Sequence, residues 1–289
     1  MATELARDLI NAGVHFGHGA SRWNPKMKPY IFAKRGTIHI IDVRETLKGL
    51  ILGQKLLANV VSSGKDVVFV GTKRQARKAV QDAAMKCGMH YVSERWLGGM
   101  LTNFRTIRGR LQRLEQLEDM EAKGTLEKES KKQAARWKRE MLKIQTNLNG
   151  IRKMSKAPGV VVVVDVNKEH LALREAKKLG IYTIGIIDTD SDPDCVDVAI
   201  PANDDSIKAV ALLLGRLSDA VLEGKNNAAM IAKQRPEVSE AKPRSKRRGM
   251  VTAEGEVAVP AVTEVKAEEA EAVSEPVEAA NDEAVEGQA

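Results

Sequence analysis

The chain reads as a doubly wound α/β layer on three observations. Short β-branched runs alternate with amphipathic helical stretches, the longest run lacks polar alternation, and several helical stretches end near glycine. Such alternation implies parallel strands joined by helical crossovers. The run Val160-Val-Val-Val-Val164 is apolar on both faces, as expected when helices cover both sides of a central parallel strand. Glycine just past a helix supplies the left-handed backbone that closes it.

In chain order, the predicted strands are Thr37–Ile41, Asp66–Val70, His90–Val92, Gly159–Asp165, Tyr182–Ile187 and the shorter Asp197–Ile200. The predicted crossover helices are Glu45–Val61, Lys73–Lys86, Lys168–Leu179 and Ser206–Glu223, ending near Gly64, Gly88, Gly180 and Gly224. Ahead of them lies His15–Tyr30, HFGHGASRWNPKMKPY, too rich in Gly and Pro for regular structure to be expected. From Phe104 to Met154 there is no strand candidate. Ile107, Leu111, Leu114 and Leu117 form one stripe there, and Trp137, Met141, Ile144, Leu148 and Ile151 form another. Spacings of three and four predict two antiparallel helices, a coiled-coil hairpin turning near Gly124-Thr125. From Arg105 through Lys156 fifteen Lys or Arg face seven acids, and such a hairpin reads either as a solvated surface or as a reach toward a partner.

The expected organisation is an α/β body over residues 1–103 and 155–224, a hairpin insertion over 104–154, and a basic then acidic tail over 225–289. High charge and low bulk in the tail predict disorder from about Gln234 to Ala289. With 289 residues, 43% of them apolar, the chain can build a sizeable core. The net charge of +7 hides an asymmetry. From Val251 onward eleven acids face the single Lys266, giving that segment −10 and leaving +17 to residues 1–250. A body so basic calls for an anionic partner, nucleic acid or an anionic membrane. No apolar run approaches bilayer length and the amino terminus lacks a signal-like apolar core, so a soluble, cytoplasmic protein is expected. Cys87 and Cys195 lack metal or disulfide spacing and are read as small buried apolar residues.

Enzyme signatures are largely missing. No strand is followed by G-x-G-x-x-G. Gly71-Thr-Lys-Arg74 follows a strand and opens a helix, so its amides could hold one phosphate, although an ordinary turn is the commoner meaning. His15 and His18 sit three apart with no third ligand nearby in sequence. The run Asp188-Thr-Asp-Ser-Asp-Pro-Asp194 fails as a calcium loop, having Pro193 where Gly is needed. Asp188 with Asp204 and Asp205 is nevertheless a candidate set for a structural magnesium or zinc ion, against the default of capping and turn formation.

Nucleic acid fits better. In the arm, Arg22, Lys26 and Lys28 alternate with Trp23 and Met27, and phosphates take charge while bases or sugars take rings. The competing reading tucks Phe16, Trp23 and Tyr30 into the protein's own core and leaves the lysines solvated. Arg95, Asn103, Arg105 and Arg108 make a second candidate contact surface, beside the Trp96-Leu-Gly-Gly99 turn whose amides are expected to approach RNA. Lys73 and Arg74 are candidate phosphate contacts at a helix start.

Six blocks then point to a family. They are Ala12-Gly-Val-His-Phe-Gly-His18, Trp23-Asn-Pro-Lys-Met-Lys-Pro-Tyr30, Ile38-His-Ile-Ile-Asp42, Phe69-Val-Gly-Thr-Lys-Arg74, Arg95-Trp-Leu-Gly-Gly-Met-Leu-Thr-Asn103, and Asp188–Asp194 followed by Ile200-Pro-Ala-Asn-Asp-Asp205. In these blocks the chain resembles the bacterial small-subunit ribosomal proteins of the S-two family. The resemblance implies a flavodoxin-like parallel sheet with a coiled-coil insertion and a non-catalytic subunit lying between head and body of the small ribosomal particle. It also implies binding to ribosomal RNA, late entry into assembly and help in docking the messenger-binding ribosomal protein S-one, with no cofactor required. The tail after Gly224 departs from the family pattern. Two other readings remain at this stage, a nucleotide-dependent enzyme using Gly71–Arg74 and Asp188, and a protein scaffold acting through the hairpin.

Overall fold

The computed structural model describes residues 2–124 and 130–234. Contacts divide the chain into Met1–Glu237 and Val238–Ala289, and the second unit lies outside the described residues.

Helix α1 (Ala2–Asn11) leads into β1 (Phe16–Gly19), a 3-10 turn over Pro25–Tyr30, β2 (Ile31–Arg35) and β3 (Ile38–Ile41). These three strands form an antiparallel ribbon in the order β1-β3-β2. The body follows as α2 (Val43–Ser62), β4 (Val67–Val70), α3 (Arg77–Cys87) and β5 (His90–Val92). Helices α4 (Phe104–Ala122) and α5 (Lys131–Leu148) are inserted before β6 (Val160–Val164), α6 (His170–Lys178), β7 (Tyr182–Ile187), β8 (Val198–Pro201) and α7 (Ile207–Gln234). Strands β4 to β8 are all parallel, in the order β5-β4-β6-β7-β8. Counted within the sheet this is 2-1-3-4-5, the flavodoxin-like order.

The valine run of β6 splits as a two-residue period demands. Val160, Val162 and Val164 join one core with Leu50 and Leu57 of α2, Val80 of α3 and Leu213 and Leu217 of α7. Val161 and Val163 join the other with Ile107 and Leu111 of α4, Leu148 of α5 and Leu173 of α6. All five valines are buried, so the strand is covered on both faces as its sequence requires. Gly49 of α2 permits one close approach, because a Cβ there would strike the Ala199 carbonyl of β8.

Several expectations need correction. Ile38–Ile41 pairs antiparallel, outside the parallel sheet; a β-branched run carries no mark of its partner's direction. The arm is also more regular than its Gly and Pro content suggested. Gly17 and Gly19 lie within β1, and Pro25 stands at the start of a 3-10 turn, where a missing N–H costs nothing. Helix α3 begins at Arg77 rather than Lys73, after a turn over the intervening residues. Gly64, Gly88 and Gly180 do take positive φ, at 80°, 61° and 65°, but Gly224 does not close a helix. A Cβ at Gly224 would meet the backbone of Ala58 and the side chain of Val61, so its smallness lets α7 lie close on α2, and α7 continues to Gln234. Lys225 donates to the carbonyl of Cys87 at 2.5 Å, tying down the first residue of what had looked like tail. Cys87 is buried but Cys195 is exposed, because it sits in a surface 3-10 turn over Pro193–Cys195.

In the insertion, α4 and α5 pack on one another. Ile107, Leu111, Leu114 and Leu117 are all buried, whereas of the second stripe only Leu148 and Ile151 are, with Trp137, Met141 and Ile144 half-buried. Gly124 is left-handed at φ 65°. Thr125 lies outside the described residues, as do the tail segment Lys242–Arg248 and the acidic residues after it.

Candidate nucleic-acid interface and the carboxylates behind it

The loops leaving the carboxyl ends of the parallel strands gather seven of the thirteen candidate residues. Lys73 and Arg74 follow β4, Arg95 and Asn103 follow β5, Asp188 follows β7, and Asp204 and Asp205 follow β8. Arg105 and Arg108 begin α4, directly beyond the β5 loop. Open α/β sheets present their sites along this edge.

The arm is fastened to the same edge. The backbone N–H of Asn24 donates to the Thr189 carbonyl at 2.8 Å, and that of His18 donates to the Thr189 hydroxyl at 3.0 Å and to Asp188 Oδ1 at 3.2 Å. Gly17 is required for this fit, since a Cβ there would lie 2.5 Å from Thr189 Cγ2. Met27 is fully buried in the core that also holds Ile187 and Val166. The competing reading of the arm therefore misjudges which side chains go in. Phe16 is exposed, Trp23 is half-buried and tilted against His39 at a 5.3 Å ring separation, Tyr30 is half-buried against the core as that reading expects, and Met27 is the anchor it missed.

Arg22, Lys26 and Lys28 are exposed. Lys26 pairs with Asp192 at 2.8 Å and Asp194 at 2.7 Å, and these carboxylates hold its pKa above the ordinary lysine value. Among the described residues no side chain pairs with Arg22 or Lys28.

The second surface is braced by a carboxylate that sequence reading did not single out. Glu175 of α6 accepts the backbone N–H of Gly99 at 2.7 Å, Leu101 at 3.0 Å and Thr102 at 3.1 Å. It also accepts the Trp96 indole and the Thr102 hydroxyl, each at 3.2 Å. Burial pushes this carboxyl up, but the converging donors outweigh it and leave its pKa below the usual value. The amides of the Gly-Gly turn, expected to approach RNA, are in this way turned inward at Gly99. Gly98 stays exposed, with open space where a Cβ would sit. Arg95, Asn103, Arg105 and Arg108 are exposed around the braced loop, and Asn103 accepts the Thr106 hydroxyl at 2.8 Å.

At the switch point between β4 and β6, where a flavodoxin-like sheet would admit a phosphate, the protein supplies its own anion. Glu169, 2% exposed, accepts the Thr72 N–H at 2.9 Å and the Thr72 hydroxyl at 2.5 Å. Burial raises its pKa. Lys73 faces Asp204 at 2.8 Å, Asp205 at 2.6 Å and Asp165 at 3.8 Å. Burial opposes its charge, yet Asp204 and Asp205 hold its pKa above the ordinary value. Arg74 is exposed.

Asp188, Asp204 and Asp205, far apart in sequence, do meet in space, and His18 joins them. Its Nδ1 is 2.9 Å from Asp188 Oδ2 and its Nε2 is 3.3 Å from Asp205 Oδ2. Asp188 is the first cause that raises the His18 pKa to about 9. Asp204 is pushed up to about 7 by burial, with Asp188 adding to the rise and Lys73 opposing it. His15 stays apart, its ring tilted against Phe16 with centroids 4.1 Å apart, and burial lowers its pKa. Nothing in the local sequence marks Glu175 or Glu169; Thr189 lay unremarked within the Asp188–Asp194 run, and His18 was marked by its HFGH setting and its spacing from His15.

The family model for ribosomal protein S2 matches residues 9–224. The chain belongs to the ribosomal protein S2 family. The small ribosomal subunit protein uS2 of Rhodopirellula baltica is 52% identical over 243 residues, 83% of this chain and 94% of that protein. The protein of the same name from the Nichols strain of Treponema pallidum is 46% identical over 226 residues, 78% of each. As a member of the S2 family the chain is a structural, non-enzymatic protein of the small ribosomal subunit, acting in translation in the cytoplasm. The nucleotide-enzyme alternative falls with that assignment, and Glu169 seated on Thr72 gives a physical reason beside it. Among the described residues no helix is long and apolar enough to cross a membrane.

Proposed function

We propose that this S2-family chain binds small-subunit ribosomal RNA through two basic surfaces on the carboxyl edge of its sheet. The first is Arg22, Lys26 and Lys28 with Trp23 against a sugar or base; the second is Arg95, Asn103, Arg105 and Arg108. Arg74 extends the contact as a phosphate ligand at the turn before α3, and Lys73, its ammonium held by Asp204 and Asp205, adds less. The observation that carries the reading is that exposed cations stand on loops held from beneath, by buried Met27 and Thr189 under the arm and by half-buried Glu175 under the β5 loop. A phosphate surface held in place loses less ordering entropy on binding than a free loop would. The low aromatic content, 3%, favours phosphate contacts and shape over base stacking.

In this reading the protein lies between head and body of the small subunit, enters late in assembly and helps dock the ribosomal protein S-one. The α4–α5 insertion serves as a coiled-coil hairpin whose basic outer face reaches a neighbour. Replacing Arg22, Lys26 and Lys28 together by Ala should lower incorporation into small subunits and weaken RNA affinity. The log–log salt slope should flatten by roughly two to three, since each phosphate contact contributes about 0.7–0.9. Unchanged occupancy at raised salt would overturn the arm's assignment. Pull-down of S-one with and without ribonuclease separates a protein-held partner from an RNA-held one.

A further inference from the structure

We propose that a cleft at the base of the α4–α5 insertion holds one unstacked guanine nucleotide of a single-stranded RNA segment. The partner is taken from the RNA reading above, and the assignment rests on that reading. The cleft measures about 320 Å³ and lies between the two helices and Leu97 of the β5 loop. That is the small end of ligand sites, with room for a nucleotide and none for a docked helix about 10 Å across. Leu148 is buried and Leu97 and Ile144 are half-buried, and together they give the cleft an apolar wall. Arg110, Arg113 and Lys143 supply three cations against one acid, Glu140. Among the described residues no carboxylate pairs with Arg110 or Lys143, and Arg113 stands 3.8 Å from Glu140, a loose and exposed pair that costs little to open.

Apolar surface beside unpaired positive charge matches the two halves of a nucleotide. The base covers Leu97, Ile144 and Leu148 and stacks under a guanidinium plane, while its phosphates lie on Arg110 and Lys143. Glu140 selects the base. Guanine alone carries two adjacent N–H donors on its Watson–Crick edge, and a carboxylate accepts both at once. Asn147 lines the same cleft; its amide donates to the Lys143 carbonyl at 2.9 Å, which leaves its side-chain oxygen for a ribose hydroxyl. An acidic peptide with an apolar anchor would also find the wall and the cations, yet its charge repels Glu140, to which guanine donates. Helical spacing separates this site from the surfaces already described. Ile107, Leu111 and Leu114 belong to the buried stripe of α4; Arg110 and Arg113 fall on one flank of it, Arg105 and Arg108 on the other.

The test uses the purified full-length chain and fluorescein-labelled uridine hexamers, one of them carrying a single central guanosine, followed by fluorescence anisotropy at fixed salt. The guanosine hexamer should bind about tenfold tighter than the all-uridine one, the usual order for a paired base edge. Inosine in place of guanosine lacks the exocyclic amine and should lose most of that preference. Glu140→Gln should abolish the preference without weakening the all-uridine hexamer, whereas Arg110→Ala with Lys143→Ala should weaken the guanosine hexamer most. If Glu140→Gln fails to fold, the inosine comparison on the wild-type chain decides. Equal binding of the two hexamers, a preference that survives Glu140→Gln, or displacement by free GMP as effective as by unlabelled guanosine hexamer would each overturn the site. So would tighter binding of a glutamate- and leucine-rich peptide that Arg110→Ala with Lys143→Ala abolishes, since the cleft would then serve a protein. Small-subunit RNA bound by a chain that treats the hexamers alike leaves the RNA reading standing without this cleft; a chain that binds neither fails both.

Discussion

Glu175 shows how one side chain can decide the shape of a surface it does not join. It takes three backbone amides, an indole and a hydroxyl, so Glu175→Gln, which offers a single acceptor oxygen, strands donors in the β5 loop. A cost of about 1–3 kcal/mol is expected at neutral pH, read from urea denaturation. Because the folded carboxyl titrates below its usual value, its contribution is present above the unfolded pKa, about 4.3, and is lost as pH falls through the folded pKa. The wild type should therefore lose its advantage over the variant as the solution is acidified below about pH 4.3. Met27, fully buried, makes a second residue-scale case. Met27→Ala should cost about 2–5 kcal/mol and raise proteolysis of the arm. Neither role was legible. Glu175 sits in a charged helical stretch where a glutamate reads as solvent-facing, and Met27 sits among lysines that suggested exposure.

Among the elements, legibility followed covering. The valine run of β6 reads correctly because burial on both faces excludes every polar residue, and Gly64, Gly88 and Gly180 read correctly because left-handed backbone selects glycine. Ile38–Ile41 misled because strand direction leaves no trace in a four-residue apolar run, and Gly224 because smallness serves close packing as well as capping. Two glycines of helices should respond oppositely to alanine. At Gly109 of α4 nothing lies within 4 Å of a built Cβ, so Gly109→Ala should stabilise by about 0.5–1 kcal/mol through propensity alone. At Gly49 the obstacle is the Ala199 backbone. Overpacking there, about 1–3 kcal/mol, exceeds the propensity gain, and Gly49→Ala should lower Tm.

For the molecule as a whole, charge and topology answer different questions. The charge excess of residues 1–250 indicated an anionic partner, and the strand alternation indicated the sheet. Their meeting place was hidden, because the residues that form the carboxyl edge come from several separated loops. What sequence offered instead was a set of family blocks, and in the structure most of those blocks lie along that edge or under it. The meeting of His18 with Asp188 needed three dimensions most of all, since the two stand 170 positions apart.

That separation sets an order of events on the synthesising ribosome. The arm is translated first, yet its seat, Asp188 and Thr189, is among the last parts of the body to emerge. Until β7 has folded, Arg22, Lys26 and Lys28 ride on an unfastened arm, and their basic surface takes shape only when the body is nearly finished. Nascent chains stalled before Asp188 should leave the arm open to protease, and chains released past Gly224 should protect it. The fold thereby times its own readiness, giving the basic arm its shape only once the body that seats it has been made.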